Sequence, residues 1–76
     1  MKTVKAMYRF FDYLYETPEQ IDPTVLADWS HKEKPTKVFA VIDVEYLEVQ
    51  EISIQEAWIY DTQGKAEAEA KAFNEF

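Results

Sequence analysis

The segment Val38–Tyr60, VFAVIDVEYLEVQEISIQEAWIY, decides how this chain folds. From Val38 to Tyr46 every even position is apolar (Val38, Ala40, Ile42, Val44, Tyr46), and Asp43 and Glu45 fall between them. Successive side chains of a strand point to opposite faces, so this period of two reads as a half-buried β-strand. Ile52, Ile54, Trp58 and Tyr60 repeat the alternation, with Glu51, Ser53 and Gln55 on the opposite face. Between the two runs, Leu47 to Gln50 contains no Gly, Asn or Pro. Either a four-residue turn or a bulged continuation of a single strand fits that stretch, and an antiparallel hairpin is the expected arrangement.

Upstream, the periodicity is double. Val4, Met7, Tyr8, Phe11, Leu14 and Tyr15 have helical spacing, whereas Val4, Ala6, Tyr8 and Phe10 line one face of a strand. A helix would put Lys2 and Lys5 at the positive end of its macrodipole and Asp12 and Glu16 at the negative end, so charge favours strand. In YETPEQIDPTVLADWSHKEKPTK, Thr17 with Pro18 and Gln20 resembles a capping box, and Asp22 with Pro23 repeats the cap and the Pro. A short helix from about 23 to 30 comes next, with Val25, Leu26 and Trp29 spaced to cover the sheet. The basic run HKEKPTK then forms a loop. Ala66, Ala68, Ala70 and Ala72, with Glu67 and Lys71 four apart, make the C-terminal stretch helix-competent. Residues 62–76 are thus a docked helix or a frayed tail, and burial of Phe73 and Phe76 distinguishes the two. The expected fold is a single α+β domain spanning 1–76, with a small antiparallel sheet of about three strands and one or two short helices.

Seventy-six residues leave room for one core, and a domain of about that size buries only about 60% of the surface its unfolded chain exposes. The absence of Cys removes disulfides and thiolate metal sites as staples. Twelve aromatic residues are many for so short a chain and point to a homodimer that buries some of them. Arg9 and Asp12 interrupt the first apolar run, which does not read as a signal peptide, and no run approaches the roughly 18 apolar residues of a membrane span. A cytoplasmic protein is expected.

Charge is distributed in blocks. Residues 12–28 carry Asp12, Glu16, Glu19, Asp22 and Asp28 without a basic residue, and residues 38–61 carry Asp43, Glu45, Glu48, Glu51, Glu56 and Asp61, again without one. The formal net charge is −7. Direct binding of nucleic acid or anionic lipid needs a basic face, so neither is expected, and the natural partner is itself basic. Tyr8, Phe10, Phe11, Tyr13 and Tyr15 could form a base-stacking platform only beside a positive groove, which Lys5 and Arg9 alone do not make. Their expected role is packing.

No catalytic constellation accompanies the charge. His31 is the sole histidine and has no placeable nucleophile or orienting partner. Asp43 and Glu45, about 6.7 Å apart on one strand face, lack the His, Cys or Gly-containing calcium loop of familiar metal sites. Gly64 is the only glycine, which leaves no phosphate-binding loop. The expectation is a protein without enzymatic activity, cofactor or metal.

Carboxylates without neighbouring Lys repel across strands, a cost that a small domain tolerates more readily when a partner uses the charge. In size, lack of Cys, aromatic richness and the carboxylate-dense run DVEYLEVQEISIQE, the chain resembles small acidic phage-encoded DNA-mimic proteins. Proteins of that class inhibit host or defence proteins by occupying DNA-binding sites, and their targets include the histone-like protein HU. The resemblance implies an inhibitor of a basic DNA-binding protein, with HU as a candidate partner and host takeover as the setting. Asp43, Glu45, Glu48, Glu51 and Glu56 are the expected contacts, with Glu16, Glu19, Asp22 and Asp28 as secondary charges. The basic loop from His31 to Lys37 departs from a uniformly acidic mimic. The alternative is a small structural or assembly protein, a homo-oligomer whose acidity serves solubility.

Overall fold

The computed structural model describes residues 1–29 and 32–75. In chain order it contains β1 (Lys2–Phe10), β2 (Tyr13–Tyr15), α1 (Pro23–Trp29), β3 (Thr36–Asp43), β4 (Glu51–Ser53), β5 (Trp58–Tyr60) and α2 (Gln63–Asn74). Short 3-10 turns lie at Pro18–Gln20, Val44–Tyr46 and Ile54–Glu56. The strands form one antiparallel sheet in the order β4-β2-β1-β3-β5. The α+β class is as expected, but the sheet has five strands where about three were anticipated.

The first segment is strand, and it is central. β1 pairs with β2 on one side and along eight residues with β3 on the other, from Lys2 opposite Asp43 to Arg9 opposite Thr36. Its second periodicity has a simple origin: both faces of β1 meet core. Met7 is fully buried on one face, and Val4 packs under α2 on the other.

The expected hairpin between Val38–Tyr46 and Ile52–Tyr60 forms only in part: its second arm breaks at Ile54–Glu56, and only Trp58–Tyr60 pairs antiparallel with the first. β3 pairs with β1 and β5, whereas β4 pairs with β2 at the opposite edge. A stretch without turn residues does not reverse tightly, and residues 44–50 instead carry the chain across to β4. Ile54–Ala57 then brings it back from the β4 edge to the β5 edge. Five Cα steps from Ser53 to Trp58 reach at most about 18 Å. Four inter-strand spacings of a flat sheet would take about 19 Å. The sheet therefore curls, and its concave face encloses Met7, Leu14, Val38, Ala40, Ile42 and Ile52, with Tyr46, Ile54, Ala57 and Ile59 packed against them.

The 3-10 turn at Ile54–Glu56 also shifts the side-chain parity of β5. Ile59 stands opposite Ala40 and faces the concave core, while Trp58 and Tyr60 stand opposite Val41 and Phe39 on the other face. That face is covered by α2, whose Ala66 and Ala70 are buried against Val41, with Val4, Phe39, Tyr60 and Phe73 around them. Thr62 caps the helix by accepting a hydrogen bond from the Lys65 amide. Asn74 closes the other end by accepting from the Lys2 amide and donating to its carbonyl. The tail is thus a docked helix with Phe73 half-buried; Phe76 and His31 lie outside the described residues.

α1 departs from expectation in its contacts. Asp22 caps it through the amides of Thr24 and Val25, as its position predicts. None of its residues is buried, however, and Val25 and Trp29 are exposed where they were expected to cover the sheet. Seven residues form only two turns, and the apolar anchor of this connection is Ile21, just before the helix. Among the described residues, no helix is long and apolar enough to cross a membrane.

Candidate partner-binding surface

Two of the nine candidate carboxylates are neutralised by β1. Lys5 Nζ lies 2.6 Å from Glu16 Oε1, and Lys2 Nζ lies 3.1 Å from Asp43 Oδ1. The acidic blocks lack cations in sequence but not in space, because β1 lies beside β3 and β2. A third carboxylate, Asp22, is occupied as the cap of α1.

Asp43 and Glu45 do not share a strand face. β3 ends at Asp43, and Val44–Tyr46 winds into a 3-10 turn that leaves Glu45 exposed. Val44 is also exposed, although the strand pattern assigns it to the core. Among the described residues, no group of three or more His, Asp or Glu side chains is arranged to hold a metal.

Tyrosines organise the remaining acids. Tyr46 Oη donates to Glu56 Oε2 at 3.2 Å, which ties the two 3-10 turns together. The Glu56 charge and this hydrogen bond raise the Tyr46 phenol above its ordinary value, and Glu45 and Asp43 add to the effect. Tyr15 is raised as well, first by burial and then by the charge of Glu51, its cross-strand neighbour. Both phenols therefore hold their protons more firmly and can donate them to the neighbouring carboxylates.

Glu45, Glu48, Glu19 and Asp28 are exposed and have no ion-pair partner among the described residues. Interleaved with Glu45 and Glu48 are Val44, Leu47 and Val49, all exposed. Sequence reasoning missed this apolar component because it read Val44 as core and 47–50 as a turn. The only available signal was the lack of turn residues between two apolar runs. Lys5 fixes this segment from beneath by donating to the carbonyls of Leu47 and Val49. A crossover held by its backbone can present its side chains outward.

The domain is elongated, 43 × 21 × 17 Å. Duplex DNA of that length would carry about 25 phosphate charges, against fifteen Asp and Glu in the whole chain. A single copy of the chain therefore carries a lower density of negative charge than a duplex of its length. No family model, no curated protein and no solved structure matches the chain.

Proposed function

We propose that this protein is an acidic DNA-mimic inhibitor that binds a basic nucleic-acid-binding protein and occludes its DNA site. The observation that carries the reading is the exposed acidic crossover from Val44 to Glu51, a stretch of sequence without a basic residue whose cation in space, Lys5, is held by Glu16 and backbone carbonyls. Glu45, Glu48, Glu51 and Glu56 are its leading contacts. Glu19 and Asp28 extend them, while Asp43, Glu16 and Asp22 contribute field from positions already engaged in the fold. Exposed carboxylates speed the encounter with a cationic groove, and Val44, Leu47 and Val49 supply apolar area to bury there. A bacterial cytoplasm is the setting, with histone-like HU as the candidate target. The reading assigns the protein no catalytic role, cofactor or membrane contact.

The test is competition. Labelled duplex bound to HU is titrated with the protein at about 50 mM and about 200 mM salt. Displacement that weakens at higher salt, and that is lost when Glu45, Glu48 and Glu51 are replaced by Lys, supports the reading. Absence of displacement at low salt removes HU as the target, and capture of no DNA-binding protein from lysate removes the inhibitor reading altogether.

A second reading, a homo-oligomeric structural protein, is favoured by nine large hydrophobic residues that stand exposed among the described residues. It predicts self-association without any basic partner.

A further inference from the structure

Three exposed apolar groups are candidates for an interface, and their rims differ. Val44, Leu47 and Val49 are bordered by Glu45 and Glu48, so two copies meeting there would set like charges against each other. Trp58 stands beside Lys2 and Asp43, which already neutralise one another. The third group is Phe11, Val25 and Trp29, which are 38%, 43% and 42% exposed and line a cleft of about 280 Å³.

This third rim carries both signs. Arg9 lies beside it, its Nε donating to the Phe11 carbonyl, and Lys32 Nζ stands 4.8 Å above the Trp29 ring. Asp12 succeeds Phe11 in the turn, and Asp28 shares the helical stripe of Val25 and Trp29. None of these four charges has an ion-pair partner among the described residues. A two-fold interface brings one patch against itself, so only a patch holding both signs can be self-complementary. A wholly basic or wholly acidic partner would leave half of this rim unmatched.

The turn that builds the patch is itself unusual. Phe10 pairs with Tyr13, so Phe11 and Asp12 form a two-residue hairpin loop, and Phe11 has φ 55°. Gly is the favoured residue for such a position, and a bulky side chain there costs backbone energy. The conformation points the Phe11 ring at Trp29, with centroids 5.7 Å apart and nearly perpendicular planes.

We infer that the Phe11–Val25–Trp29 patch is the interface through which two copies of this chain associate, with Arg9 and Lys32 of each facing Asp12 and Asp28 of the other. The patch is small, so the dimer is weak and concentration-dependent, dissociating within about 1 µM to 1 mM. Association engages Asp28 within the dimer, leaves the acidic crossover of Glu45, Glu48 and Glu51 to the target, and would double that crossover's charge. The inference deepens the proposed function but does not need the target to be present.

Sedimentation equilibrium of the full chain at about 50 mM salt tests it. A monomer–dimer equilibrium is expected, weakened at least about tenfold by Val25→Asp, with circular dichroism reporting that the variant remains folded. Asp28→Lys and Lys32→Glu should each weaken self-association, and an equimolar mixture of the two should recover a heterodimer. That recovery identifies the rim even if Val25→Asp unfolds. A monomer at every concentration, or a dimer indifferent to folded Val25→Asp and to both charge variants, overturns the inference. Competition for HU is read separately, so failure of the interface and failure of the inhibitor reading remain distinguishable.

Discussion

Lys5 and Glu16 form the ion pair on which the crossover rests. The Lys5 ammonium lies 2.6 Å from Glu16 Oε1 and also donates to the carbonyls of Leu47 and Val49, so its three protons serve three acceptors. Its side chain is only 13% exposed. One cation thereby joins β1, the exit of β2 and the segment that carries the exposed acids.

Removing that cation should cost more than a surface pair would. Lys5→Met leaves the Glu16 carboxylate and two carbonyls without their shared donor, a loss of about 2–3 kcal/mol. A chain of this length has roughly 4–11 kcal/mol in total. Glu16→Gln keeps a polar partner and should cost about 1 kcal/mol. Urea denaturation measures both, and equal small effects would show that the crossover does not depend on Lys5.

The pairing of Lys5 with Glu16 also shows where sequence reading stops. The alternation of Val38 to Ile42 was legible because a strand's side-chain period is local. Of its two partners, the Trp58–Tyr60 end of the second run was anticipated and β1 was not, since pairing depends on how the chain travels between strands. β2 was hidden by a turn made of Phe11 and Asp12 instead of Gly or Asn. Trp58 and Tyr60 were grouped with Ile52 and Ile54 on one face, whereas the 3-10 turn at Ile54–Glu56 resets parity and puts Ile59 there instead. Among the candidate contacts, Glu45, Glu48, Glu51 and Glu56 are exposed as expected. Asp43 and Glu16 are engaged by lysines 41 and 11 positions away in sequence, a distance at which charge patterns carry no contact information.

Charge reversal should separate the two kinds of acid. Glu45→Lys and Glu48→Lys change exposed residues without ion-pair partners among the described residues, so stability should shift by no more than about 0.5 kcal/mol. Asp43→Lys places two ammonium groups directly opposite on β1 and β3 and should cost up to about 1 kcal/mol. Thermal melts report the contrast. Equal destabilisation by all three would mean that Glu45 and Glu48 also serve the fold.

The first turn of α2 offers opposing substitutions. Thr62→Ala removes the acceptor for the Lys65 amide and should lower stability by about 1 kcal/mol. Gly64→Ala adds a Cβ that meets nothing within 4 Å, at a helical position without positive φ. It should raise stability by about 0.5 kcal/mol, chiefly by restricting the unfolded chain. Denaturant midpoints moving in the same direction would mean that this turn does not contribute to docking α2.

Alkaline pH should loosen the fold through its tyrosines. Tyr46 is raised by the Glu56 charge and hydrogen bond, Tyr15 by burial and Glu51, and Tyr60 by burial and Glu69. A folded phenol with a raised value holds its proton where the unfolded one has released it. The stability this supplies is fully present below about pH 10 and is lost as pH rises through the folded values. Asp61 has the opposite sign, because the hydrogen bond from Lys65 and then its charge lower the carboxyl below its ordinary value. Its contribution is present above the unfolded value and disappears as pH falls through the folded one. Phenolate absorbance should therefore show Tyr15, Tyr46 and Tyr60 ionising late in the folded protein and normally in urea. Tyr46→Phe should flatten the alkaline fall in melting temperature, since the proton held between the two 3-10 turns is gone. An unchanged slope in that variant would place the alkaline sensitivity at Tyr15 and Tyr60, away from the crossover that carries the acidic surface.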